Sequence, residues 1–279
     1  MPELPDVELR RRCLAETSLG HAVAHVHVHD PSLLAGTSRQ QLAARLVGRV
    51  LDRTRRHGKH LGVHAGPNGG GEAAEEAGDD DDDGGWLRLH FGMTGDLVSR
   101  RDGTPANGPP PQAALTLELD DGGRLHFLDR RRLGEIGWVP DFDRFVAERD
   151  LGPDALDVGL EDFRDRLAHR RAAIKSVLLD QGTIAGVGSV YADEALLIAG
   201  IRPDRPAGGL TEREAGALHR ALRHVLRTAI DRDADPGAVP ATWILPRREP
   251  GADCPRCGRP LERGEVGGRP TYRCPRCQH

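Results

Sequence analysis

Proline at position 2 followed by glutamate at position 3 sets a potential secondary amine beside a carboxylate, provided Met1 is removed. A neutral amine attacks electrophilic carbon and forms an iminium (Schiff base). An α-amino group, with a reference pKa of roughly 7.7–8.0, keeps a sizeable neutral fraction near neutral pH. Taken alone, Pro2 is also simply a small second residue that permits Met1 removal. The strongest local signal lies at the other end. Cys254, Cys257, Cys274 and Cys277 form two Cys-x2-Cys knuckles, the spacing of a tetrahedral zinc site. Disulfides are the alternative, but two-residue spacing favours metal. With no His or carboxylate among the ligands, the zinc is expected to be structural. Cys13, the odd cysteine, reads as a buried helix residue.

Two further features could bind anions. Of the 39 basic residues only Lys59 and Lys175 are lysine, which reads either as a need for a compact ammonium at those positions or as chance survival of two lysines. Gly186 and Gly188 stand just ahead of a helical stretch, where free amides and the helix dipole can hold a phosphate. A tight structural turn explains the same glycines.

These residues need elements to carry them. Asp6 is placed to cap a first helix that runs to about Ser18 and ends at Gly20. Residues 22–29 alternate as a half-buried strand and put His25, His27 and His29 on one face, read as an exposed polar face rather than a metal site. Strand-like runs follow at 46–52, 86–91, 113–119 and 124–128, the pattern of a β-sandwich or barrel. Residues 66–85 carry eight acids, no base and nothing apolar larger than Ala, so a disordered acidic hairpin insertion is expected. A second Pro/Gly-rich loop covers 102–112. From about 153 the pattern is helical, around Phe163 and Leu167, then Ile174, Val177 and Leu178, then a helix capped by Ser189 and ended near Gly200. Thr211 and Glu214 form a capping box for a longer helix with Leu218, Leu222, Val225 and Ala229 on one face. Residues 231–253 read as loop.

The net charge of −4 over 279 residues looks wrong for a nucleic-acid binder, but the average misleads. Without 66–85 the charge becomes +4, and the last 33 residues hold eight arginines. Such asymmetry points to a polyanion-binding face. No apolar run reaches the roughly 20 residues of a membrane span, and no signal-peptide core precedes Arg10, Arg11 and Arg12. A soluble cytoplasmic chain of bacterial, nucleoid-associated type is expected, with no membrane partner.

The parts occur in one order: Pro2-Glu3-Leu4-Pro5-Asp6-Val7-Glu8, Gly58-Lys59-His60-Leu61, His90-Phe91-Gly92-Met93-Thr94-Gly95, Asp129-Arg130-Arg131-Arg132-Leu133-Gly134, the glycine-linked helix pair at 174–200 and the terminal cysteines. Together they resemble the formamidopyrimidine-DNA glycosylase / endonuclease VIII family over nearly the whole chain. The resemblance implies an α+β protein. An N-terminal helix plus β-sandwich domain (1–140) would precede a helix–two-turn–helix domain (150–235) and a four-cysteine zinc finger (243–279), with duplex DNA in the cleft.

The resemblance also implies roles. Pro2 would attack the anomeric carbon of the sugar as the damaged base leaves, Glu3 would assist ring opening and proton transfers, and Lys59 would grip phosphate beside the lesion. Lys175, Gly188, Ser189 and Arg269 would contact DNA, and Met93, Arg131 and Leu133 would fill the space left by the flipped base. Three departures stand out. Leu133 occupies a position commonly Phe, Ser189 one commonly Asn, and 231–253 is short for the loop that covers 8-oxoguanine. The implied activity is removal of oxidised bases by a monomer acting on double-stranded DNA with a damaged base or abasic site. β,δ-Elimination would then cleave the strand. Oxidised purines are preferred as substrate, with oxidised pyrimidines as the alternative and a non-catalytic damaged-DNA binder as the alternative of another class.

Overall fold

The structure is a computed structural model that describes residues 2–67, 84–100 and 109–279. The chain divides into two compact units. Pro2 and Val7–Arg149 form the first; Glu3–Asp6 and Asp150–His279 form the second.

Helix α1 (Leu4–Ser18) starts two residues before Asp6. Pro5 sits inside its first turn, where a missing N–H costs nothing. Asp6 therefore does not stand at the cap position; its Oδ2 instead reaches back to accept from the Glu3 N–H at 2.8 Å. Gly20, at φ +84°, ends the helix as expected.

The first unit is a β-sandwich. One sheet has the order β1-β7-β8-β6 and the other β2-β9-β5-β4-β3. Its strands are β1 (Val23–Val28), β2 (Leu34–Ala35), β3 (Val50–His57), β4 (His60–Gly66), β5 (Gly85–His90), β6 (Gly95–Arg100), β7 (Ala113–Leu119), β8 (Arg124–Asp129) and β9 (Glu135–Val139). All pairings are antiparallel except β2 with β9. Inward residues of both sheets, including Val23, Leu61, Val63, Leu87, Leu117 and Phe127, share one buried cluster with Val7 and Leu14 of α1. His25, His27 and His29 are exposed, because Val23, Val26 and Val28 take the other face of β1.

Several boundaries differ from the sequence reading. The run at 46–52 is a junction rather than a strand. Helix α2 (Arg39–Leu46), opened by a reciprocal Ser38–Gln41 capping box, ends at its start. Strand β3 then extends to His57 because an edge strand tolerates the exposed charges of Asp52, Arg53 and Arg55. Helix α3 (Phe142–Glu148) closes the unit, with Phe142 packed on Trp86 at a ring separation of 5.6 Å. The proposed insertion at 66–85 joins two paired strands, β4 and β5, in register through Ala65 and Gly85. Its residues 68–83, and 101–108 of the second loop, lie outside the described residues.

The second unit packs α4 (Leu160–Leu167), α5 (Ile174–Leu179), α6 (Ser189–Ala199) and α7 (Glu212–Asp231) around Phe163, Ile174, Leu196, Leu222 and Trp243, with Leu4 of α1 in the same cluster. The Thr211–Glu214 box opens α7. Gly200, left-handed at φ +73°, ends α6. Strands β10 (Glu262–Val266) and β11 (Arg269–Arg273) form a terminal hairpin. Its turn is Gly267–Gly268, both at positive φ, as a two-residue type I′ turn requires. No helix among the described residues is long and apolar enough to cross a membrane.

Candidate active site and nucleic-acid interface

Glu3 is 2% exposed. Its Oε1 accepts from the Val190 N–H at 2.9 Å and its Oε2 from the Tyr191 N–H at 3.3 Å. The carboxylate thus completes the first turn of α6, where unpaired amides and the positive end of the dipole favour an anion. Ser189 does not cap this helix. The cap position belongs to Gly188, and Ser189 is the first helical residue. A Cβ at Gly188 would stand 2.1 Å from Glu3 Cδ, so only glycine lets the carboxylate in. The turn ahead of it is stapled by Gln181. That side chain donates to the carbonyls of Leu179 and Val187 and accepts from the Gly186 N–H at 2.9 Å. Gly186 in turn accepts from the Leu4 N–H at 3.1 Å. The glycine pattern read as a phosphate cradle therefore holds Glu3.

Lys175 also departs from expectation. It is wholly buried. Its Nζ lies 2.7 Å from Asp193 Oδ1 and donates to the Pro270 carbonyl at 2.8 Å and to Thr271 Oγ1 at 2.9 Å. Two of the ammonium's three donors are taken by Pro270 and Thr271, and the Asp193 carboxylate beside it balances the charge. Desolvating a cation is costly, and the compensation for Lys175 in this fold is internal. Asp193 also accepts from Arg248 Nη1 at 2.9 Å and from the Tyr272 N–H at 3.2 Å. Burial pushes the Asp193 carboxyl up and the Lys175 ammonium down, while their mutual attraction opposes both shifts. Ser189 Oγ donates to the same Pro270 carbonyl at 3.0 Å. Lys175 and Ser189 thus converge on the terminal hairpin, whose strand β11 begins with the exposed Arg269. Next to Asp193, Glu194 accepts from the Ile244 and Leu245 amides. Burial nevertheless pushes its carboxyl up to about 7.

In the first unit, Met93, Arg131 and Leu133 are all exposed and come from two loops. The organiser is Asp129, 4% exposed, which sequence reasoning missed. Its Oδ1 accepts from Thr94 Oγ1 at 2.6 Å and from the Arg131 N–H at 3.2 Å. Its Oδ2 accepts from the amides of Leu133 and Gly134 at 2.8 and 2.7 Å. Gly92, at φ +54°, brings the two loops into contact; a Cβ there would meet the Leu133 carbonyl at 2.4 Å. Lys59 occupies the turn of the β3–β4 hairpin, where His57 pairs with His60. Behind that turn, His60 packs against His90 and Phe145. Its burial, with the charges around it, holds the imidazole down at about 2, so it is neutral.

The four cysteines gather as their spacing predicts, with sulfurs within 4.8 Å of one another. Cys254 and Cys277 are 4.0 Å apart, and Cys257 and Cys274 3.5 Å. A tetrahedral zinc with sulfurs at about 2.3 Å sets them about 3.8 Å apart, so the donor set fits. The Cys274 N–H is held by Gln278 Oε1 at 2.8 Å.

Comparison with known proteins matches three successive stretches of the chain. Residues 1–136 match the formamidopyrimidine-DNA glycosylase N-terminal domain. Residues 151–238 match the H2TH domain of the same glycosylase, and 253–279 the zinc finger found in FPG and IleRS. The formamidopyrimidine-DNA glycosylase of Laribacter hongkongensis is 35% identical over 294 residues, covering 100% of both chains. That of Moorella thermoacetica is 36% identical over 278 residues, covering 94% of each. Among solved structures, the MutM (Fpg) protein of Thermus thermophilus superposes with a TM-score of 0.78 at 34% identity, covering 99% of this chain and 98% of that one. Lactococcus lactis Fpg, bound non-covalently to DNA with an abasic site, gives 0.82 at 27% identity and 99% coverage of both. The four clustered cysteines form a structural zinc site, and this chain belongs to the formamidopyrimidine-DNA glycosylase family of bifunctional DNA-repair glycosylases and abasic-site lyases.

Proposed function

We propose that Pro2, in the chain processed at Met1, is the nucleophile of this enzyme, and that Glu3 is its acid/base partner. The observation that carries the reading is the Glu3 carboxylate, buried and locked by two helix amides one residue after the proline. The Pro2 nitrogen bonds to C1′ of the damaged nucleotide as the glycosidic bond breaks, and the base leaves with a proton. The sugar ring opens to an iminium. This withdraws electrons from C2′, so loss of a C2′ proton expels the 3′ phosphate (β-elimination). A second proton loss expels the 5′ phosphate (δ-elimination), and water hydrolyses the iminium to free Pro2. Near neutral pH a proline amine can reach the uncharged state this needs, which an arginine cannot.

In this reading Lys59 and Arg269 hold backbone phosphates, and Gly188 and Ser189 shape the second unit's DNA-facing turn. Met93, Arg131 and Leu133 occupy the gap left by the extruded base. The substrate is duplex DNA with an oxidised base or abasic site, and the working unit is a monomer. Oxidised purines are preferred. Support comes from the name carried by the relatives and from a MutM structure, 28% identical with a TM-score of 0.82, in complex with carbocyclic 8-oxo-G containing DNA.

The test is borohydride trapping on abasic-site duplex. The parent forms a covalent adduct and Pro2→Ala does not; equal trapping by the variant overturns the assignment. Intact mass of the purified chain reports removal of Met1. Excision from duplexes carrying 8-oxoguanine or thymine glycol decides between purine and pyrimidine lesions.

A further inference from the structure

Glu8 of α1 is 9% exposed and makes an unusual set of contacts. Its Oε1 accepts from Arg11 Nη2 at 2.8 Å and from Arg12 Nε at 3.0 Å. Its Oε2 accepts from Arg11 Nε at 3.0 Å and from Arg56 Nε at 3.3 Å. Arg11 and Arg12 are neighbours three and four residues on, as any helix surface provides. Arg56 is different. It comes from β3, its side chain is only 8% exposed, and its Nη1 donates to the Gly58 carbonyl at 3.1 Å. A buried guanidinium with a carboxylate at one end and a backbone carbonyl at the other acts as a strut. It joins α1 to the turn.

That turn carries Lys59. Gly58 has φ +55°, whereas Lys59 is not among the positive-φ residues. Glycine at the first of two central positions is the pattern of a type II′ hairpin turn. The direction of the Lys59 side chain depends on the two peptide planes flanking Gly58, and Arg56 grips the carbonyl of the second. The far side of the turn is braced by His60 against His90 and Phe145. Arg11 adds a second tie to the strand through Thr54 Oγ1 at 3.0 Å.

We infer that Glu8 is a positioning residue for Lys59: acting through Arg56, it fixes the Gly58 peptide and so the direction in which the lysine leaves the turn toward a DNA phosphate. This rests on the reading of Lys59 as a phosphate contact. It also accounts for a fully substituted carboxylate that the covalent chemistry does not use.

The test uses the full zinc-loaded chain. Binding is measured to a duplex with a tetrahydrofuran abasic analogue, together with single-turnover nicking of abasic-site duplex at saturating protein. Glu8→Gln and Lys59→Ala are each expected to weaken binding about tenfold, and Glu8→Gln is expected to change the saturated nicking rate less than threefold. Glu8→Gln in the Lys59→Ala background should add nothing, because the strut then has no lysine to aim. Glu8→Asp should recover part of the loss. Arg56→Lys, which leaves the Glu8 contacts with Arg11 and Arg12 available, should reproduce Glu8→Gln and stands in for it if that variant does not fold. Additive losses in the double variant, or unchanged binding beside a lowered melting temperature, overturn the inference while leaving Lys59 in place. Full-strength binding by Lys59→Ala overturns the reading of Lys59 and this inference with it. Failure of the parent to trap on abasic DNA is a separate result that strikes the proposed chemistry.

Discussion

Lys175 Nζ and Asp193 Oδ1 stand 2.7 Å apart with neither side chain exposed at all. Around them Arg248 bonds to Asp193 and lies over the Tyr272 ring at 4.7 Å, and the Pro270 and Thr271 oxygens close the shell. The pair ties α5 and α6 to the hairpin that presents Arg269. Asp193→Ala leaves the buried Lys175 ammonium without its counter-charge and beside the Arg248 guanidinium. The expected cost is about 3–5 kcal/mol, the range for breaking a buried pair from one side. Denaturant melts of the parent and variant measure it. A loss below about 1 kcal/mol shows that the network is not holding the hairpin.

Gly188→Ala tests the seat of Glu3. The new methyl competes with the Glu3 carboxylate for the same space. The backbone there, at φ −125°, suits any residue, so the helix itself tolerates alanine. A drop in single-turnover nicking of about 100-fold or more, with the far-ultraviolet circular dichroism unchanged, is the expected result. Near-parental nicking shows that the carboxylate can work from another position.

Glu8 carries a pH signature. Burial opposes its ionisation, but the hydrogen bonds and charges of Arg11, Arg12 and Arg56 outweigh it and hold the carboxyl at about 2, below its ordinary 4.5. A depressed carboxyl contributes stability that is fully present above the unfolded value and lost as pH falls toward the folded one. Between pH 4.5 and 2, Glu8→Gln should therefore be flatter than the parent by about 1–3 kcal/mol, after allowance for solvent screening. Parallel acid titrations of the two proteins rule this out.

Zinc removal should act on the hairpin rather than on chemistry at Pro2. The terminal segment has a small core of its own, built from Leu197, Ile244, Leu261, Tyr272 and the ligand cysteines. Without the metal such a segment loses most of its folding free energy. Cys257→Ser, or chelator with mild denaturant, should abolish the one-per-chain zinc found by elemental analysis. Binding to lesion duplex should weaken at least about tenfold, through disorder at Arg269. Undiminished binding by zinc-free protein separates the hairpin from the interface.

Local signals were enough where local physics dominates. The cysteine spacing gathered its sulfurs because two knuckles leave little freedom. Thr211 with Glu214 opened α7 because a capping box is satisfied within four residues. Gly200 ended α6 because a left-handed residue is needed there. The alternating face of His25, His27 and His29 came out exposed because a strand's period is two. The order of motifs from Pro2 to Cys277 was enough to identify the family.

What the tertiary structure decided are the partners. The resemblance gives Ser189 and Lys175 alike as DNA contacts; in the fold both donate to the carbonyl of Pro270, a residue more than eighty positions away. Gly186 and Gly188 look like an anion cradle; the anion is Glu3, delivered from the opposite end of the chain. Asp193 and Glu194 are the only charges in an otherwise apolar α6, and that was the one local hint of burial. Periodicity names the face a residue occupies. Which oxygen meets which nitrogen across it depends on distances that only the folded chain sets, since a buried charge is tolerated only where another element brings its counterpart.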